Sequence, residues 1–159
     1  MAKKAIVTGG EGFIGTHLMA ALRERGFEAA SVDLKSGSDI LDTEKMKEMF
    51  AGAQYVFHAA ALPRVQYSIE HPQETSAANV EGTLSVLVAA HAAGVERVVY
   101  SGSSSAYGDQ TIMPLAETMQ SNPISPYALQ KHIGEFYCRL FSGVNGLPTV
   151  CLRYFNVYG

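Results

Sequence analysis

The chain has 159 residues and a formal net charge of −3, with 47% apolar and 17% charged residues. Such a composition excludes a disordered chain, which combines low hydrophobicity with high net charge, and fits one domain, residues 1–159, with enough length to bury a core. The slightly acidic balance offers no electrostatic footprint for nucleic acid or an anionic membrane. Lys4 to Thr8 is short, apolar and β-branched, and reads as a buried strand. Phe13 to Arg25 carries apolar residues at helical spacing and is stopped by Gly26. Glu28 to Asp33 reads as a second strand, Thr43 to Ala51 as a helix with Thr43 as its N-cap, and Ala53 to His58 as a third strand. A long helix is expected from Thr75 to Gly94, a fourth strand from Glu96 to Ser101, a helix from Ser125 to Phe141 with Pro126 in its first turn, and a fifth strand from Thr149 to Tyr154. The strict alternation argues for an α/β fold: a Rossmann-type doubly wound parallel sheet with helices on both faces, ending after its fifth strand.

Cys138 and Cys151 are too few for a disulfide framework or a four-ligand zinc site, so they read as buried free thiols, and no metal is expected. The apolar stretch after Met1-Ala2-Lys3-Lys4 is too short for a signal peptide, and no run reaches the ~18 residues of a membrane span. A soluble, cytoplasmic protein is the expectation.

Thr8-Gly9-Gly10-Glu11-Gly12-Phe13-Ile14-Gly15 lies between the first strand and the first helix. Its glycines satisfy G-x-G-x-x-G at 10, 12 and 15 and G-x-x-G-x-x-G at 9, 12 and 15. One glycine permits a tight turn, the next lets backbone approach a pyrophosphate, and the last lets helix and sheet pack closely. The helix N-terminus then presents N–H groups and a positive dipole end to phosphate. An ordinary glycine-rich turn is the competing reading. Asp33, about 20 residues on, is placed to accept hydrogen bonds from an adenosine ribose and to repel a 2′-phosphate, which favours NAD over NADP. Lys35 pulls the other way, since it can attract that phosphate. No Gly-Lys-Ser/Thr closes the turn, so it is not a P-loop.

Tyr127 and Lys131 stand four apart on a helix, hence on one face. A free tyrosine titrates near pH ~10; a nearby ammonium favours the phenolate and makes Tyr127 a usable general base. By itself such a pair is a common surface feature. Ser101-Gly102-Ser103-Ser104-Ser105 follows the fourth strand, at the sheet end where ligands of open α/β folds bind. A hydroxyl there can bond a substrate oxygen while Tyr127 takes the proton, although such composition also suits a flexible loop. His58 is read as structural rather than catalytic. The histidines at 17, 71, 91 and 132 read as surface or packing residues, and Met46 and Met49 as core-facing.

Taken together, these motifs resemble the extended short-chain dehydrogenase/reductase superfamily, in its NAD-dependent nucleotide-sugar epimerase/dehydratase branch. The resemblance rests on Thr8 to Gly15, Asp39-Ile40, His58-Ala59-Ala60-Ala61, Asn79-Val-Glu-Gly-Thr83, Tyr127-x-x-x-Lys131 and Arg153-Tyr-Phe-Asn-Val-Tyr-Gly159, in family order. It implies a cofactor-contacting set of Gly9, Gly12, Phe13, Ile14, Gly15, Asp33, Asp39, Ile40, Ala59, Ala60, Ala61, Asn79, Ser101, Tyr127, Lys131 and Tyr154. It implies catalytic roles for Ser103, Tyr127 and Lys131, with Ser104 close enough to share that of Ser103, and substrate contacts from Ser103, Ser105 and Asn156. Ser104-Ser105 replace the Asp-Glu pair of nucleotide-sugar dehydratases, which points to epimerisation, and Ala61 to Pro72 is similar to UDP-hexose 4-epimerases. A UDP-sugar substrate and NAD are therefore implied, as is a homodimer through the helices near 75–93 and 125–141. Members of the branch are about twice as long by this resemblance, so the expectation is an N-terminal portion lacking most of the substrate-binding part. A dinucleotide-binding module without turnover, as a fragment or a redox-sensing regulator, is the alternative; a nucleotide-sugar dehydratase or reductase is a weaker one.

Overall fold

The computed structural model describes residues 2–159. Five parallel strands, β1 (Lys4–Thr8), β2 (Glu28–Val32), β3 (Tyr55–His58), β4 (Arg97–Ser103) and β5 (Thr149–Tyr154), form one sheet in the order β2-β1-β3-β4-β5. The chain steps outward from β1 to β2, then crosses back and adds β3, β4 and β5 on the other side. The direction reverses at β1, so a crevice opens beyond the carboxyl ends of β1 and β3, where ligands of this architecture sit.

The sheet alternates its side chains between two apolar layers. Ala5 and Val7 face α1 (Phe13–Glu24), through Met19 and Leu22. Ile6, Val32, Val56 and Val98 face the main core, with Met46 and Phe50 of α2 (Thr43–Phe50), Val86, Leu87 and Ala90 of α5 (Gly82–Ala92) and Cys138 of α6 (Pro126–Val144). Burial on both faces explains why these strands read as continuous apolar runs. Coverage is unequal, however. On the α1 side, Phe57 and Val99 are half-buried, and Val150 and Leu152 are each 38% exposed, so β5 stands as an uncovered edge.

Three expectations change. The N-cap of α2 is Asp42, whose carboxylate accepts from the Lys45 N–H, because Thr43 already has helical geometry. The long helix starts earlier, with α3 (Val65–Glu70) and α4 (Pro72–Ser76) preceding a π-helical stretch at Ala77–Glu81 that runs into α5. Cys151 is half-exposed rather than buried, since it lies on the edge strand; it and Cys138 are both free thiols.

Candidate active site

Backbone builds the cofactor side of the crevice. Gly9 leaves β1 with φ +71°, and a Cβ there would lie 2.7 Å from the Ala60 nitrogen. At Gly15 a Cβ would overlap the Gly9 carbonyl oxygen, so only glycine lets α1 start so close to the turn. No side chain caps the N-terminus of α1 at Gly12, which leaves its first N–H groups facing the crevice. A cavity of ≈ 540 Å³ lies beyond this turn, lined by Gly9, Gly12, Asp33, Asp39, Ile40, Ala59, Ala60, Ala61 and Leu62 among others. That volume falls within the usual range for small-molecule sites. An uncapped helix end for phosphate, an apolar wall of small residues and a carboxylate at the tip of β2 together fit a dinucleotide such as NAD.

Asp33 also holds the turn. Its two oxygens accept from the backbone N–H groups of Glu11 and Lys35, each at 3.0 Å, while the Lys35 ammonium donates to the Glu11 carbonyl at 2.9 Å. Asp39 accepts from the Leu41 N–H at 2.9 Å, which turns Ile40 into the core below the cavity.

Side chains build the other half, at the end of β4 and along α6. Ser125 caps α6 by accepting from the Ala128 N–H, and Pro126 opens its first turn. The Tyr127 phenol lies near Ser103, whose hydroxyl is 2.7 Å from that of Ser105. Ser104 begins a 3-10 turn, Ser104–Tyr107, just beyond them. Lys131 is 3% exposed; its ammonium donates to the Ser101 carbonyl at 2.9 Å and lies 5.0 Å from the centroid of the Tyr100 ring. Burial pulls its pKa down to about 8. Burial also raises that of Tyr127, against a smaller downward pull from the neighbouring Ser103 hydroxyl. Lys131 is not among the causes of that shift; its ammonium is bonded to the Ser101 carbonyl.

His58 lies fully buried between the two halves. Its Nε2 is 2.9 Å from Thr83 Oγ1, and that hydroxyl donates to the Asn79 carbonyl, so Nε2 carries the proton. Nδ1 then accepts from Thr8 Oγ1 at 2.7 Å. Burial, with the Lys131 charge, lowers its pKa to about 3. A neutral, doubly bonded imidazole fits the structural reading.

The structure brings most of the expected residues together around this crevice but places several elsewhere. Phe13 is 49% exposed, with its ring edge-on to His17, and Ile14 is half-buried behind the turn. Asn79 grips the backbone of Leu62 rather than lining the cavity. Tyr154 lies in a separate groove along the β5 edge, and Asn156 is exposed just after β5. Sequence reasoning missed Ser68, Thr75, Gln130 and Glu135, all buried. Glu135 accepts two bonds from Arg153, at 2.8 and 2.7 Å, and so clamps β5 to α6. Its spacing, one turn beyond Lys131, was the available signal.

Residues 5–159 match the model of the NAD dependent epimerase/dehydratase family. The putative UDP-glucose 4-epimerase of Methanocaldococcus jannaschii is 34% identical over 97% of this chain and 56% of its own length. The UDP-N-acetylglucosamine 4-epimerase from Methanobrevibacter ruminantium, solved with UDP-N-acetylmuramic acid, superposes with a TM-score of 0.94 at 34% identity, over 99% of this chain and 56% of that one. The UDP-glucose 4-epimerase from Brucella ovis, solved with NAD, gives 0.93 at 34% identity, over 98% and 52%. The chain spans about half the length of these relatives. The chain therefore belongs to the NAD dependent epimerase/dehydratase family.

Proposed function

We propose that residues 1–159 form an NAD-binding domain that supplies the cofactor site and the acid–base group for epimerisation at C4 of a UDP-hexose. The observation that carries this reading is the glycine-lined cavity at the ends of β1 and β3, with Ser103 closing the neighbouring strand β4 and Tyr127 and Lys131 one turn apart on α6. Gly9, Gly12 and the N-terminus of α1 hold the pyrophosphate, Asp33 a ribose, and Ala59–Ala61 one wall. Bound NAD supplies the hydride acceptor and donor for C4. Ser103 hydrogen-bonds the 4-oxygen, Tyr127 in its phenolate form takes the hydroxyl proton, and the phenol so formed returns it after the 4-keto sugar has turned. Lys131 adds positive charge near the phenolate. Ser104-Ser105 leave the dehydratase carboxylates unsupplied, which favours epimerisation over water elimination.

The test is turnover of UDP-galactose and UDP-N-acetylgalactosamine, with mass spectrometry of the co-purifying nucleotide. Epimerisation with NAD released on denaturation is the expected result, and Tyr127→Phe lowers turnover by about 10²–10⁴-fold while NAD stays bound. NADP in place of NAD would overturn the role of Asp33. Binding of NAD without turnover would favour the module reading, which the half-length match to the relatives supports. Dimerisation through α5 and α6 belongs to the same proposal. Leu129, Phe136, Leu140 and Val144 form an exposed apolar stripe on α6, and sedimentation as a monomer would remove it. The two free thiols support a cytoplasmic location. No described helix is long and apolar enough to cross a membrane.

A further inference from the structure

Three residues of the first turns of α6 point to the interior side: Tyr127, Lys131 and, between them, Gln130. The first two belong to the acid–base group, whereas Gln130 has no part in it. It is nonetheless 5% exposed, and both polar atoms of its amide have a hydrogen-bond partner. Its Oε1 accepts from Asn79 Nδ2 at 2.8 Å, and its Nε2 donates to Thr75 Oγ1 at 3.0 Å. The sense of each bond is fixed by its neighbours. Thr75 spends its own proton on the carbonyls of His71 and Pro72, so its oxygen must accept from Gln130. Asn79 Oδ1 accepts from the Leu62 N–H at 2.8 Å and Nδ2 donates to the Leu62 carbonyl at 3.1 Å, so the second Nδ2 proton must go to Gln130. A side chain here must accept on one side and donate on the other. Glutamine does both; an ionised glutamate only accepts, and asparagine is a methylene short.

The π-helical turn at Ala77–Glu81 sets Asn79 where it closes on both polar groups of one residue's backbone, as a neighbouring strand would. That residue, Leu62, ends the Ala59–Leu62 wall of the cavity. A second tie runs in parallel: the Tyr127 N–H donates to Ser68 Oγ at 3.1 Å, and Ser68, fully buried, donates to Val65 O. The cofactor wall and the helix of the acid–base group are therefore linked by buried hydrogen bonds across some 50 residues of sequence.

We infer that Gln130 is a positioning residue for the dinucleotide: by gripping Asn79 from α6, it fixes the Ala59–Leu62 backbone in register with Tyr127 and Lys131. This rests on the NAD reading above. Loss of the grip frees the Leu62 amide and loosens the wall before it unfolds the domain.

The test compares Gln130→Met, similar in length but without donor or acceptor, with Phe50→Leu, a core change at the end of α2. Two readouts are taken on the full 159-residue chain: hydrogen exchange of the Leu62 amide and calorimetric titration with NAD. Gln130→Met is expected to speed Leu62 exchange about tenfold and to weaken NAD binding about tenfold, the worth of one buried hydrogen bond. Phe50→Leu lowers the melting temperature and moves neither. Leu62 exchange within twofold of wild type in Gln130→Met, or an equal change in Phe50→Leu, would overturn the inference. Failure of the wild-type chain to bind NAD, with Leu62 exchange still faster in Gln130→Met, would instead overturn the NAD reading and retain the coupling. Should Gln130→Met not fold, Gln130→Asn carries the same comparison.

Discussion

At the ends of β1 and β3 the crevice is walled by backbone and small residues, Gly9, Gly12 and Ala59–Ala61, with Gly15 packed against the turn, whereas β4 and α6 beside it carry large polar side chains withdrawn from water. The first half works because atoms are missing: helix, turn and β3 approach so closely that a single Cβ would collide. The second works because atoms are present and held. The Lys131 ammonium and the Gln130 amide each carry a desolvation cost that hydrogen bonds offset. One half should therefore be broken by adding atoms, and the other by removing partners or protons.

The largest expected effect tests the backbone half. Gly15→Ala places its Cβ on the Gly9 carbonyl, where neither the turn nor α1 has room to yield, and is expected to cost about 3 kcal/mol or more. Urea unfolding measures this, and a loss below about 1 kcal/mol would show that the close approach is not needed. Next comes Lys131. Its folded pKa of about 8 lies below the ordinary 10.5, so the unfolded chain holds the proton longer, and stability rises as pH climbs from 8 to 10.5. Lys131→Met removes that rise, worth about 2–3 kcal/mol in the difference between the two proteins. Identical slopes would refute the burial cost.

His58 gives a smaller effect at the junction of the halves. Its folded pKa of about 3 is below the ordinary 6.5, so its contribution is whole above pH 6.5 and falls as the unfolded imidazole takes up a proton. About 2 kcal/mol should be lost by pH 5, and the loss should be absent from His58→Gln. The smallest effect is at Lys35, whose exposed side chain makes one bond to the Glu11 carbonyl. Lys35→Ala should change stability by less than ~0.5 kcal/mol. A larger loss would make Lys35, beside Asp33, a second side-chain tether of the turn.

The same contrast explains what could be read from the chain. Backbone-built features leave a direct trace, since a glycine needed for close approach must appear as glycine at a set distance from a strand and a helix. Gly9 to Gly15 and Asp33 were legible for that reason, and so were the inner strands, whose burial on two faces requires unbroken apolar runs. The Tyr127/Lys131 spacing was legible because a helix has a fixed period. Gln130, Thr75 and Ser68 were not, because a polar residue in a helical stretch looks solvated until its partners, tens of residues away, are known. The π-helical stretch inside the long helix was missed for a related reason: Asn79 sits in a widened turn stabilised by tertiary bonds, a geometry that local propensity does not encode.

By itself the sequence determined the strand–helix alternation, the glycine turn and the pairing of Tyr127 with Lys131, all of which depend on local periodicity and on residue types with few substitutes. Only the tertiary structure decided the charge state of the site. Burial raises Tyr127, lowers Lys131 and keeps His58 neutral, and burial is a property of what packs around a residue. It also decided which polar residues serve as ties across the crevice, because a buried hydrogen bond is specified by two partners and the sequence shows them one at a time.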